Sequence, residues 1–248
     1  MVAHRGASAR EAENTIPAFE SAVAAGADVV EFDVRMTADD VAVIMHDPDV
    51  SRTTNGTGLV RDLSLADIKT LRIGTVDGGQ TEVPTLEEAL TCLSGRAAVD
   101  VEIKNIPGEP DFDGSRELAV EATLGGLESV AFSGFVLVSS FNPLSISRVR
   151  ELTSDVVTGL LTTQDVQAGV ALDFAHGQDH RWVLPFIGAV LTAGPSFARE
   201  THELDMRLGT WITDDPGVAV DLMRAGVDAV ATNDPAAVVE ARRVTFGE

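Results

Sequence analysis

Cysteine is nearly absent from this chain: Cys92 stands alone among 248 residues. No intramolecular disulfide can form, which excludes a small stapled scaffold. Within the apolar helical stretch LEEALTCL, Cys92 is expected to be a buried, inert thiol. Basic residues are also scarce, 18 Lys and Arg against 39 Asp and Glu, for a formal charge of −21. A nucleic-acid partner or stable association with an anionic membrane would need basic surface, so neither is expected. The excess acid reads first as a contribution to solubility. No run approaches the ~20 apolar residues of a membrane-spanning helix, and MVAHRGASA lacks the charged and apolar regions of a signal peptide. A cytoplasmic protein is the expectation. No GxGxxG or P-loop pattern follows a strand, so a nucleotide-binding fold has no support.

What is present is an ordinary globular composition, 44% hydrophobic and 23% charged, able to bury a sizeable core. The length suits one (β/α)8 barrel, which takes about 250 residues, so a single domain over 1–248 is expected. The first strand is a short run at 2–4 that delivers His4 and Arg5 to its end. Asn14, Thr15 and Pro17 form a helix-start signature, because a small polar side chain caps free amides and proline is tolerated in the first turn. The helix AFESAVAAG stops at Gly26. The strand GADVVEFDVR follows, then an extended VAVIMHD ending in His46-Asp47.

Residues 48 to 84 are rich in Thr, Gly and Asp and contain the helical piece SLADIKTL. We read them as an insertion after the second strand, too short for an independent core. TLEE at 85–88 is a capping box, leading to the strand AAVDVEIK. Beyond it, helices and strands alternate through GFVLVSSF, VVTGLL, WVLPFIGAVLT, TWIT and VDAVAT, with a helix PSFARETHELDMRLG expected to end at Gly209. Gln164 to Arg181 is the least legible stretch. About eight strand–helix pairs imply a parallel sheet, here closed as a TIM (β/α)8 barrel. The echo between AGADVVEFD and AGVDAVATND, each a glycine-stopped helix returning to a strand, agrees with it.

Residues i and i+2 of a strand share a face. Glu31 and Asp33 therefore project together, and Glu102 and Lys104 repeat the geometry on the next strand. In a barrel of this kind the active site lies at the carboxyl ends of the strands, which gathers His4, Arg5, Glu31, Asp33, His46, Glu102 and Lys104. Three carboxylates make the ligand set of a hard divalent cation, Mg2+ or Ca2+, and a hard cation points to phosphate chemistry. Arg5 and Lys104 would complete an anion clamp. His4 and His46 can serve as a general base and a general acid, in either order. His176, His180 and His202 lie in polar or helical stretches and are expected at the surface.

HRG at 4–6, ENT at 13–15, GADVVEFDVRMTADD at 26–40, HD at 46–47, RTT at 52–54, PTLEEAL at 84–90, EIK at 102–104, WITDDP at 211–216 and AGVDAVATNDP at 225–235 together resemble the glycerophosphodiester phosphodiesterase family. The likeness covers nearly the whole chain in order. It implies a phosphatidylinositol-phosphodiesterase-like TIM barrel that hydrolyses a glycerophosphodiester to glycerol 3-phosphate and an alcohol. By matching motif it implies metal binding by Glu31, Asp33 and Glu102, acid–base catalysis by His4 and His46, phosphate binding by Arg5 and Lys104, and a place for Trp211 near the glycerol end of the site. It also suggests the glycerol 2-hydroxyl as nucleophile, through a cyclic phosphate. Asp214 departs from the family, which often has Asn there. Two rivals are a phosphodiesterase of the lysophospholipase D or transphosphatidylase kind and a non-catalytic barrel that binds phosphate esters. A single cysteine and 5% aromatics disfavour the first, and a histidine pair the second.

Overall fold

A computed structural model describes residues 1–247. β1 (Val2–His4) leads through α1 (Ile16–Ala24) to β2 (Val29–Met36), which folds back as the antiparallel β3 (Ala42–Ile44). A segment with α2 (Leu65–Ile68), β4 (Ile73–Gly74) and β5 (Gln80–Thr81) precedes α3 (Leu86–Leu93) and β6 (Ala98–Ile103). The chain continues as α4 (Leu118–Ser129), β7 (Val136–Ser140), α5 (Pro143–Leu152), β8 (Val157–Thr162), α6 (Ala168–Gly177) and β9 (Trp182–Pro185). It ends as α7 (Ile187–Ala193), α8 (Phe197–Glu203), β10 (Arg207–Thr210), α9 (Pro216–Arg224), β11 (Ala229–Thr232) and α10 (Pro235–Phe246).

Among the described residues, β1, β2 and β6 to β11 pair in parallel with their neighbours. β11 returns to β1 with Val2 opposite Ala231, closing the expected eight-stranded TIM barrel. Local chemistry sets the element ends. The Thr15 hydroxyl accepts from the amide of Ala18, with Pro17 in the first turn of α1. Thr85 and Glu88 form the reciprocal capping box of α3. Gly26 (φ 86°) and Gly226 (φ 94°) end α1 and α9 in the left-handed region, where glycine costs least.

Strand alternation decides what faces the lumen. On β2, Val30, Phe32 and Val34 are fully buried, and the Phe32 ring lies 5.6 Å from that of Phe19 on α1. Glu31 and Asp33 therefore point inward. β6 repeats this, with Glu31 opposite Asp100 and Asp33 opposite Glu102. Across the lumen, Leu137, Leu161 and Leu184 pack with Phe141 and Trp211. A Cβ at Gly209 would come within 2.5 Å of Leu184 Cδ2, so that glycine makes room for the leucine. The lumen is thus polar on one side and apolar on the other.

Several expectations need correction. α8 ends at Glu203 rather than at Gly209, because the chain turns at Asp205 (φ 56°) and Gly209 already lies in a strand. The strand expected as TWIT runs instead from Arg207 to Thr210. WVLPFIGAVLT does hold a strand, β9, and runs on into α7, and the illegible 164–181 stretch contains α6. His180 is not at the surface. It is 2% exposed, and its Nδ1 shares a 2.9 Å hydrogen bond with the Thr158 hydroxyl, because it tucks under the barrel just before β9. His176 is exposed, and His202 pairs with Asp228 at 2.7 Å near the surface. Cys92 is only half-buried, although that burial still pushes its thiol up and keeps it protonated.

In the 48–84 segment, Val50, Val60, Ile68, Ile73 and Val83 pack with Val43 and Met45, so its small core is shared with β3. No described helix is long and apolar enough to cross a membrane.

Candidate active site

Glu31, Asp33 and Glu102 meet at the carboxyl ends of β2 and β6, each offering a ligand atom within 4.8 Å of the others. The Arg5 amide donates to Glu31 Oε2 at 2.7 Å. Asn14 Nδ2 donates to Asp33 Oδ2 at 2.8 Å, and Arg5 Nε lies 3.3 Å from the same oxygen. Lys104 Nζ sits between Glu102 Oε1 at 2.6 Å and Asp33 Oδ1 at 3.1 Å.

Burial, with the charges of Asp33 and Glu102, pushes the Glu31 carboxyl well above its usual range. Burial would raise Asp33 too, but Lys104 and Arg5 outweigh it and hold that group far down. Burial alone would lower Lys104, yet Asp33 and Glu102 raise it. Burial lifts Asp100, opposite Glu31, to about 7. Glu31 Oε1 is buried without a hydrogen-bond partner. An orphaned carboxylate oxygen among acids that repel one another is what a hard divalent cation would satisfy, and an all-oxygen donor set fits one.

The two histidines are held differently. His4 Nδ1 lies 2.8 Å from Asn233 Oδ1. Asn233 gives its amide nitrogen to Asp214 Oδ2 at 2.9 Å and its backbone N–H to Asp214 Oδ1 at 2.7 Å, so its oxygen faces the ring and His4 Nδ1 is the donor. Burial and the neighbouring Arg5 push His4 down to about 4. His46 Nδ1 instead lies 2.6 Å from a carboxylate oxygen of Asp47, and Asp47 also pairs with Arg52. Burial opposes ionisation of Asp47, but the hydrogen bonds from Arg52 and His46 hold it at about 2. Burial lowers His46, while Asp33 pulls the other way.

One cavity of about 170 Å3 at the barrel mouth is lined by His4, His46, Glu31, Glu102 and Lys104 on one side and by Phe141 and Trp211 on the other. Trp211 follows β10, donates Nε1–H to the Leu184 carbonyl at 3.1 Å, and meets Phe141 and Phe186 edge-on at 5.3 and 5.4 Å. Arg5 also borders this cavity, and Asp33 lies fully buried beside it. A larger cavity of about 350 Å3 beside Arg35 and Arg116 holds neither histidine and none of the three carboxylates.

Residues 4–237 match the Glycerophosphoryl diester phosphodiesterase family. The chain belongs to this family. A glycerophosphodiester phosphodiesterase of Caldanaerobacter subterraneus subsp. tengcongensis is 31% identical to it over 245 residues, 96% of each chain. An Oleispira antarctica phosphodiesterase, solved in complex with the product sn-glycerol-3-phosphate, superposes with a TM-score of 0.84 at 25% identity, over 97% of this chain and 95% of that one. A glycerophosphodiester phosphodiesterase from Agrobacterium tumefaciens shares the fold at a TM-score of 0.80 and 24% identity, over 96% of this chain and 98% of that one.

Several residues of this family member escape reading by motif. Asn14 is not only part of a helix start: its side-chain amide donates to Asp33 Oδ2 within the carboxylate cluster. Asn233 and Asp214 orient His4, and the Asp at 214 makes both acceptor contacts itself. Arg35 is 2% exposed. It donates to the His46 carbonyl at 2.7 Å and pairs with Glu109 and Asp111 at 2.7 and 2.5 Å, tying the loop after β6 to His46. A charge two positions past Asp33 on a buried strand is the signal that could have found it.

Proposed function

We propose that this protein hydrolyses glycerophosphodiesters to sn-glycerol 3-phosphate and an alcohol, with a divalent cation, by acid–base catalysis between His4 and His46. The observation that carries the reading is one pocket in which two differently partnered histidines face a buried Glu31–Asp33–Glu102 cluster and Lys104. Family membership and the relative solved with its product support it.

Glu31, Asp33 and Glu102 would hold the cation. A bound divalent ion, Mg2+ or Ca2+, would supply positive charge against the phosphate oxygens, adding to that of Arg5 and Lys104 in the same pocket. His4 donates Nδ1–H to Asn233 and stays neutral, which leaves Nε2 to accept the proton of the attacking hydroxyl, that of the substrate glycerol or of water. His46, backed by ionised Asp47, gives its Nε2 proton to the departing oxygen. The attacking oxygen forms a new bond to phosphorus as the old P–O bond breaks with its electron pair on the departing oxygen, which leaves as the alcohol. Where the glycerol hydroxyl attacks, water then opens the cyclic phosphate to sn-glycerol 3-phosphate. Trp211 and Phe141 wall the side where the glycerol carbons would lie. The reading treats 1–248 as one barrel domain with its insertion at about 48–84. The absence of a disulfide partner for Cys92 agrees with work in the cytoplasm.

The test is release of sn-glycerol 3-phosphate from a panel of glycerophosphodiesters. Wild-type protein should release it, while His4→Ala and His46→Ala should each lose about 100-fold or more. Full turnover by both variants would overturn the reading.

A further inference from the structure

Glu13 of ENT has no part in the chemistry just described, yet it meets Arg52 of RTT. Arg52 Nη1 and Nη2 donate to Glu13 Oε2 and Oε1 at 3.0 and 2.7 Å, a forked pairing that fixes orientation as well as distance. From its other edge Arg52 Nε binds Asp47, the carboxylate that holds His46 Nδ1 at 2.6 Å. Glu13 Oε1 in turn accepts from Arg5 Nη1 at 3.0 Å, and Arg5 Nε lies 3.3 Å from Asp33. An alternating line of charge thus runs from His46 through Asp47, Arg52, Glu13 and Arg5 to Asp33. It crosses from the insertion to the loop after β1.

An exposed ion pair alone adds little stability, and the Arg52 side chain is 46% exposed. This pair differs because both of its ends are engaged. The segment that carries Arg52 is anchored to β3 through a shared apolar core, and the Arg52–Glu13 pair adds a tie from it to the loop after β1.

We propose that Arg52 and Glu13 are positioning residues: together they form a strut that locks the His46–Asp47 pair, just before the insertion, against Arg5 and the carboxylate cluster of the barrel. The inference rests on the reading of His46 as the acid that protonates the leaving alcohol. Loss of the strut leaves Arg5 its pairing with Asp33 but lets His46 swing from the departing oxygen, and a displacement near 1 Å there is costly.

The strut is tested with Arg52→Gln, Glu13→Gln and Arg52→Lys, each compared with wild type for thermal melting. Steady-state rates are measured on glycerophosphocholine and on the p-nitrophenyl ester of glycerol 3-phosphate, whose leaving group departs without a proton. For both Gln variants kcat on the choline ester should fall about 10- to 100-fold with KM within about twofold, and the p-nitrophenyl ester should lose less than about threefold. Arg52→Lys keeps the charge without the fork and should fall between.

His46→Ala is run alongside and should show the same split more strongly. If it shows the split and the Gln variants lose both esters equally, or neither, the strut is refuted while the acid assignment stands. If His46→Ala itself shows no split, the acid assignment fails and the strut's role with it. Should one Gln variant not fold, the other carries the test; if neither folds, the pair is a stability element and the proposal is overturned.

Discussion

Asn233 turns its side-chain oxygen to His4 Nδ1 at 2.8 Å because Asp214 holds the amide nitrogen at 2.9 Å. An acceptor thus fixes the orientation of a neutral amide, and the amide fixes the imidazole tautomer. Asp214→Ala would free the amide to rotate and present N–H to N–H. We predict a loss of about 10- to 100-fold in kcat with KM little changed, since a tautomer is lost rather than a binding contact. Steady-state kinetics on glycerophosphocholine check this, and an unchanged kcat would show that Asp214 does not act through His4.

Gly6 of the HRG motif is a packing residue. It adopts φ 79°, and a Cβ there would lie 2.7 Å from the Ala18 carbonyl carbon in α1. Backbone on that side cannot give way as a side-chain tip can. Gly6→Ala should cost about 2 to 4 kcal/mol from strain and overpacking together. Urea unfolding measures the loss, and a variant as stable as wild type would contradict the close approach.

His180 should make stability depend on pH. Burial lowers it to about 4, with Arg150 adding to that and Asp179 opposing it, whereas the unfolded chain titrates near 6.5. Below about pH 6.5 the unfolded state binds a proton that the folded state refuses. The contribution is therefore complete above about 6.5 and is lost as pH falls toward 4. Between pH 7 and pH 4.5, wild type should lose about 2 kcal/mol more than His180→Gln. Equal losses in the two proteins would place the acid sensitivity elsewhere.

The barrel and its polar wall are legible because strand alternation puts Glu31, Asp33, Glu102 and Lys104 where only a functional lumen tolerates them. The caps at Thr15 and Thr85 are legible because their chemistry is local. Gly209 misleads, since a glycine that makes room for Leu184 across the lumen looks the same in sequence as one that ends a helix. α6 is hard to see because Gln167 at its start makes no side-chain cap. His180 is unreadable since its partner, Thr158, lies on another strand. Asn233 and Asp214 hide for the same reason: their value lies in reaching His4, more than 200 residues away, and nothing local marks that contact.

The central claim, that Glu31, Asp33 and Glu102 hold a divalent cation the hydrolysis requires, is tested most directly by sn-glycerol 3-phosphate release after chelation. We predict that removing metal lowers the rate about 100-fold or more, in keeping with the several kcal/mol such an ion contributes. Mg2+ or Ca2+ should restore wild type but not Glu31→Gln. A rate unchanged by chelator would contradict the claim.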